Sequence, residues 1–307
     1  MKFNFRPYRS EDLLKVRAFL IQSYSKLKYP NTWLIDRWEF IIYFQETRNG
    51  KLNQWERNVG LWEYENGALA AVVCTDDGVY FQCEEKNPPE SLLDEMFAFA
   101  ERRSGEENMG YIELYIPIPE SMTTAAEVAR KRGYRLTSGR ETANALLLDK
   151  EFPVQLPLGF RICSGDEIDV SSKAFGHINA FNYAGTPDAE LTLLHYGNIS
   201  RAPSYNPYLD LSVVNDEGEV VSFCNIFLDS LNSVGILEPV GTSVHYRKMG
   251  LGRAVLHEGF NRLRQLGANK VYVGGMQPFY EKLGFTTEVW LQVWEYSKAV
   301  TDVESEV

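Results

Sequence analysis

The residues of this 307-residue chain best suited to chemistry form one short run, Arg247-Lys248-Met249-Gly250-Leu251-Gly252-Arg253-Ala254. A strand is expected to end just upstream, near Thr242-Ser243-Val244. An amphipathic helix is expected to follow, with Val255, Leu256, Phe260 and Leu263 at core spacing. Strand, glycine-bearing turn and helix N-terminus together make an anion site. Gly250 and Gly252 carry no side chain to block a ligand from the backbone, first-turn amides have no intrahelical acceptor, and the helix dipole favours negative charge there. Arg247, Lys248 and Arg253 add cations, so the ligand this combination suits is a diphosphate. The run is not G-x-x-x-x-G-K-[ST], and Val255 breaks G-x-G-x-x-G, which disfavours a P-loop or a dinucleotide fingerprint. A glycine-softened loop ahead of a surface helix is the competing account of the same residues.

The elements that must hold this turn occur twice. Phe5-Arg6 opens a strand followed by Glu11-Asp12 and an amphipathic run over 13–20; Phe160-Arg161 opens another, followed by Asp166-Glu167 and a run to Phe175. Near the end of each half a helix closes on glycine and an aromatic, at Gly133-Tyr134 and at Gly284-Phe285. Both pairs of landmarks are displaced by nearly the same length, as a duplicated unit requires. Each half then reads as a first strand, aromatic-rich helices (19–43; 175–196) and hairpin strands (59–74 with 79–83; 209–237) turning at Asn66-Gly67 and Glu217-Gly218. A helix (90–103; 252–266), a short strand (111–116; 270–273), a second helix and a last strand complete it. This order predicts an α/β fold (an α+β mixed sheet) of two tandem domains, each a mostly antiparallel mixed sheet flanked by helices. The domains are expected at 1–150 and 158–299, with Pro153 and Pro157 marking a linker over 151–157 and an acidic tail, 300–307, that frays.

Length agrees, at roughly 150 residues per domain. With 44% hydrophobic and 24% charged residues the chain is an ordinary globular protein, which excludes disordered, fibrous and disulfide-scaffold classes. A formal charge of −11 argues against nucleic acid as a partner and favours cationic small molecules such as amines. No run approaches the ~18–20 apolar residues of a membrane span, and Met1 to Arg6 lacks a signal peptide's apolar core; no membrane partner and a cytoplasmic location are expected. Cys74, Cys83, Cys163 and Cys224 form no C-x-x-C pair and sit in apolar contexts, which predicts buried, reduced thiols. His177, His195, His245 and His257 have no metal-ligand spacing, and no metal is expected.

The pattern R-x-x-G-x-G followed by a small residue resembles the GCN5-related N-acetyltransferase (GNAT) superfamily. The resemblance covers residues 160–297; the first half matches in layout only. It implies acetyl-CoA as acyl donor. Carried over by position, Arg247, Gly250, Gly252, Arg253 and Ala254, with Lys248, Met249 and Leu251 of the same turn, would hold the diphosphate. Backbone groups of Val240 and Thr242 would meet the pantetheine arm and the acetyl carbonyl, and an amide near Val240 would face the oxyanion. Direct attack needs a neutral amine and therefore a base. Glu238, nine residues before Arg247, stands where the family places a strand carboxylate, and its apolar neighbours Leu237 and Val240 favour a raised pKa; an ordinary strand glutamate is the alternative. Tyr280, four residues before Gly284, matches the family's phenol that protonates the departing thiolate; a packed aromatic is the alternative.

The first half departs from this pattern. Its turn is Glu84-Glu85-Lys86-Asn87-Pro88-Pro89, where prolines offer no N–H and glutamates repel a diphosphate, and Ala129 stands where the phenol is needed. Asn87 as cap and Pro88 at the first helical position are expected to start a helix without an anion site. This half is expected to be a non-catalytic copy. The acceptor region, 175–208, mixes aromatics with hydrogen-bonding groups, and His177, Tyr183 and Tyr205 are its candidate contacts; core packing is the other use of such residues. The reading is a cytoplasmic N-acetyltransferase, monomer or homodimer, whose C-terminal domain acts on a small-molecule amine in a ternary complex. A non-catalytic acyl-CoA-binding regulatory module, acetylation of a protein or peptide amine, and a binder of another nucleotide phosphate are the alternatives.

Overall fold

The computed structural model describes residues 2–45, 55–76, 78–107 and 110–299; the acidic tail expected to fray lies outside them. From the N-terminus the elements are β1 (Asn4–Pro7), α1 (Leu13–Leu27), α2 (Ile35–Phe40), β2 (Val59–Glu63), β3 (Leu69–Cys74), β4 (Tyr80–Cys83), α3 (Glu90–Glu107), β5 (Tyr111–Pro119), α4 (Thr123–Lys131) and β6 (Arg135–Leu147). There follow β7 (Phe160–Ser164), α5 (Val170–Phe181), α6 (Pro187–His195), β8 (Asp210–Asn215), β9 (Val220–Asp229), β10 (Val234–Thr242), α7 (Leu251–Gln265), β11 (Lys270–Gly274), α8 (Pro278–Leu283) and β12 (Thr286–Ala299). The expected order of elements is present in both halves. Among the described residues no helix is long and apolar enough to cross a membrane.

The chain divides into two compact units that interleave in sequence: residues 1–34, 53–143 and 287–307 form one, residues 35–52 and 144–286 the other. In the first unit β1-β2-β3-β4 form an antiparallel sheet, turning between β2 and β3 at Asn66-Gly67, where Gly67 has φ 80°. Val16, Phe19, Leu20 and Tyr24 give α1 its buried face, at the helical spacing read from the sequence. Strand β12 pairs antiparallel with β5 from Leu291↔Pro119 to Ala299↔Tyr111, and Trp294 lies in one core with Ile116, Ile118, Phe97 and Trp62.

The units therefore differ from a simple division into 1–150 and 158–299. The last strand of the second half belongs, from Thr287 on, to the first unit. Leu146 at the end of β6, and Leu148 after it, lie in the second unit's core with Val271, Phe260 and Phe285. Alternating apolar residues require a sheet to cover them but do not specify which one, and any open strand edge can supply the ladder. Residues 35–45 of the first half also belong to the second unit. There Glu39, fully buried, accepts hydrogen bonds from the Ser204 N–H and hydroxyl, both at 2.8 Å, and the Phe44 ring meets Tyr196 edge-on at 5.6 Å.

In the second unit the strand order is β11-β10-β9-β8-β7, parallel only between β10 and β11. Successive residues of β9 point to opposite faces. Cys224 approaches Val255 of α7, while Phe223 and Gly241 lie under Ala180 of α5, so the two helices cover opposite faces. The segment 151–157 carries no regular structure, yet it is fastened: the Phe152 N–H donates to Asn261 Oδ1 at 2.9 Å, and Asn261 Nδ2 donates to the Phe152 carbonyl at 2.8 Å.

Close seating of α5 depends on Gly241. A Cβ there would lie 2.6 Å from the Phe223 ring and 2.8 Å from the Ala180 methyl. Gly241→Val is expected to destabilise the protein by about 1–3 kcal/mol through overpacking. Chemical denaturation should show a lowered midpoint at constant slope; an unmoved midpoint would mean that the helix has room to spare.

Candidate active site

The site begins with a break in a ladder. β10 pairs with β11 only from Val234↔Lys270 to Ile236↔Tyr272, while its pairing with β9 continues to Thr242↔Ser222. Between Leu237 and Val240 the register with β9 shifts, so that Glu238 and Pro239 form a bulge. Pro239 has no N–H to give to a neighbour, which is why the ladder fails here. Asn225 of β9 spans the bulge by donating from Nδ2 to the Glu238 carbonyl at 3.1 Å. Glu238 is half-buried. A proline inside an apolar strand run is the sequence signal from which this bulge could have been anticipated.

Beyond Thr242 the chain makes a short 3-10 turn, Val244–Tyr246, and then the glycine loop. Gly250 adopts the left-handed conformation, φ 86°, at the N-cap of α7. No side chain caps this helix, and the first bond returning to the N-cap is Ala254 N–H to the Gly250 carbonyl, 3.0 Å. The Leu251, Gly252 and Arg253 amides precede it. A Cβ at Gly250 would meet nothing within 4 Å, so the space there is open. Leu251 and Ala254 are buried beneath the loop, whereas Lys248, Met249 and Arg253 are exposed. Arg247 is used differently from its neighbours. Its Nε donates to the Thr242 carbonyl at 3.1 Å and its Nη2 to the Ala180 carbonyl at 3.0 Å, which braces the loop against β10 and α5. Thr242 exchanges a 2.8 Å hydroxyl contact with Ser222.

Tyr280 lies on α8, only 7% exposed, against Phe279 and Phe285. Burial, then the charge of Glu238, push its phenol up to about 12, so it keeps its proton. A second carboxylate was missed by sequence reasoning. Helix α2 packs on β9 and β10, and its Asp36 is 8% exposed with no hydrogen-bond partner for Oδ1. Burial first, and the charge of Glu238 second, raise its pKa to about 7, against the opposing pull of Arg37 and the helix-start amides. An aspartate amid Trp33, Leu34, Ile35, Trp38 and Phe40 signals a buried charge, but nothing local signals its neighbour on β10.

Of the three candidate acceptor contacts, His177 and Tyr183 share one ring cluster, and Tyr205 is held elsewhere by Asp210. His177 is 3% exposed within rings of Phe181 (4.5 Å), Phe44 (5.3 Å), Tyr196 (5.5 Å), Tyr183 (5.8 Å) and Phe223 (5.9 Å). Tyr183 stands at the half-buried margin of that cluster. Tyr205 donates to Asp210 Oδ2 at 2.8 Å, the oxygen that also accepts from Lys173 Nζ at 3.0 Å. All four cysteines are buried and reduced, and burial raises the Cys83 and Cys224 thiols, leaving them poor nucleophiles.

In the first unit the corresponding corner is filled by the protein's own groups. Glu84 pairs with Lys26 and accepts from the Tyr64 hydroxyl at 2.6 Å. Asn87 does not cap α3 as expected. Its Oδ1 faces Thr123 Oγ1 at 3.2 Å, at the start of α4, because Pro88-Pro89 delays α3 until Glu90.

The second unit thus has a mixed sheet whose central strand is bulged and parts from its parallel neighbour, with an uncapped glycine turn at the next helix. The model of the acetyltransferase (GNAT) family matches residues 177–285, and that segment is a GNAT domain. Over 96% of its length the chain has the fold of solved GNAT proteins, a tandem one among them. A tandem GNAT protein from the clavulanic acid biosynthesis pathway is 12% identical, with a TM-score of 0.65, covering 96% of this chain and 98% of its own. A GCN5-related N-acetyltransferase from Sphaerobacter thermophilus is 16% identical (TM-score 0.63, covering 96% and 95%), and a GNAT-family acetyltransferase from Colwellia psychrerythraea is 13% identical (0.54, 96% and 100%). At these identities the likeness is one of fold. No curated protein matches by sequence.

A folded-state pKa above the unfolded one means that the native state binds the Asp36 proton more tightly. This group's contribution to stability is therefore full at low pH and is lost as pH rises from 3.8 to about 7. Asp36→Asn, uncharged and similar in shape, removes that loss. Calorimetry should find the variant melting a few degrees above the wild type at pH 8, with the difference closing toward pH 4; a difference independent of pH would contradict the assignment.

Proposed function

We propose that the second unit transfers an acetyl group from acetyl-CoA to the amine of a small molecule by direct attack, and that the first unit is a non-catalytic copy. The observation that carries this reading is the row of uncapped amides at Leu251, Gly252 and Arg253, open in front of Gly250 and adjoining the strand whose ladder with β11 has ended. These amides and Lys248 suit the diphosphate. Arg247 acts through the loop that it braces. Beyond Ile236 the β11 side of β10 has no strand partner, which leaves backbone groups near Val240 and Thr242 for the pantetheine arm and the carbonyl oxygen.

The thioester supplies an activated acyl group. Glu238, brought out by the bulge, takes the proton that the attacking amine gives up. Tyr280, which stays protonated well above neutral pH, returns a proton to sulfur as the carbon–sulfur bond breaks. Small-molecule amines are preferred to a peptide amine because Asp36 is buried and Glu238 only half-exposed.

Gly250→Asp adds charge and bulk at the amide row and strains a φ of 86°. It is expected to weaken acetyl-CoA binding at least ~100-fold by titration calorimetry, whereas Gly250→Asn, which tolerates the left-handed region without charge, loses far less. Equal loss in both would point to the fold, and retained affinity in the aspartate variant would remove the loop from the site. Tyr280→Phe should lower acetyl-CoA-dependent thiol release with an amine panel by about 10- to 100-fold while leaving donor affinity within twofold. Unchanged turnover would make Tyr280 a packing residue; donor binding with no acceptor-dependent thiol release in the wild type would favour a binding module.

A further inference from the structure

Among the described residues, two buried oxygens near the bulge have no hydrogen-bond partner: Oδ1 of Asp36 and Oδ1 of Asn225. Neither residue is at the surface; Asp36 is 8% and Asn225 3% exposed. Both are tied to Glu238, Asn225 by its 3.1 Å bond to the Glu238 carbonyl and Asp36 by the repulsion between the two carboxylates. Helix α2, which carries Asp36, packs against the strands that carry the other two. An acceptor oxygen buried without a donor is destabilising, and a buried carboxylate without a countercharge is more so. The Asp36 carboxylate accepts from amides at the start of its own helix, but its Oδ1 and that of Asn225 accept from no group among the described residues, and such orphaned oxygens mark a place for a ligand that brings donors and positive charge. An alkylammonium has both, with N–H groups in three directions.

We propose that Asp36, Glu238 and Asn225 bind the protonated amine of the acceptor, and that the Asp36 carboxylate takes its proton, so that the acceptor is an alkylamine that arrives as a cation. In the step itself the ammonium N–H bond breaks, the proton passes to Asp36 and the nitrogen keeps the electron pair with which it attacks. The charged groups acting on Asp36 are Glu238 from β10 and Arg37 from its own helix. Once the first proton has moved, Asp36 is neutral and its repulsion of Glu238 is relieved, leaving Glu238 ionised for the proton released after attack. This inference rests on the proposed acyl transfer for its second half only; recognition of the ammonium stands by itself. Because Asp36 precedes residue 150, the half without the glycine turn supplies an acceptor-binding group to the unit that has it.

The test separates the two ideas. Binding of putrescine, spermidine and glucosamine, as ammonium probes, is read by thermal shift and calorimetry without any thioester, in wild type, Asp36→Asn and Glu238→Gln. At least one probe is expected to bind the wild type, with affinity reduced about tenfold or more in Asp36→Asn and unchanged affinity for acetyl-CoA. If none binds, or if Asp36→Asn and Glu238→Gln both bind as the wild type does, the ammonium site is refuted. Where transfer is measurable, Asp36→Asn should slow acetylation of the alkylamine at least tenfold and acetylation of aniline, which is uncharged at neutral pH, less than threefold. Equal slowing of both would overturn the proton-transfer role. Asp36-dependent ammonium binding in a protein that fails to bind acetyl-CoA would instead overturn the acyltransferase reading and leave this one standing.

Discussion

Pairing between β10 and β11 stops after three residues, and most of what this protein can do depends on that interruption. Two parallel strands normally continue their ladder as far as both run. Here Pro239 lacks the donor, and the register with β9 slips by the bulge at Glu238-Pro239, so β10 follows β9 and leaves β11. The gap exposes main chain on one side of β10, and the same strand leads four residues later into the 3-10 turn and the loop whose glycine starts α7. One local break thus leaves main chain of β10 without its β11 partner, sets Glu238 at a half-buried bulge and leads into an uncapped helix start.

The electrostatics are divided along that strand. In a chain of net charge −11, Lys248 and Arg253 are exposed at the loop, while Glu238 and Asp36 stand at the bulge. The exposed loop cations are screened by solvent and salt and attract a multivalent anion only at short range, where the amides behind them give it direction. At the bulge, burial removes water and makes two carboxylates too costly to ionise together, which raises Asp36. Opposite charges are thus prepared for the two ends of one reaction, under the function proposed above.

In the turn of the first half Pro88-Pro89 withdraws two donors and Glu84 is paired with Lys26 and Tyr64, an arrangement unsuited to a diphosphate. That half retains other roles. Residues 35–45 are anchored in the second unit through Glu39 and Ser204, and Leu146 and Leu148 complete that unit's core. In return, Trp294 and the rest of β12 complete the first unit. A duplicated chain whose halves trade terminal strands cannot be divided into two independently folding pieces at the 151–157 segment, where Phe152 is itself bonded to Asn261.

The sequence alone determined the order and type of nearly every element, because helix and strand periods, glycine turns and prolines act over a few residues. It also determined the glycine turn before α7, the apolar face of that helix, the two hairpin glycines, the burial of the cysteines and the loss of the turn in the first half. Tertiary structure alone decided that Arg247 faces the Thr242 and Ala180 carbonyls, that Tyr205 is held by Asp210, that His177 lies inside a ring cluster, and that Asp36 meets Glu238 across some two hundred positions of sequence. The reason is physical. Periodicity states that a face must be covered or a charge buried, but the covering group is chosen by sheet edges and cavities that exist only after distant segments have come together.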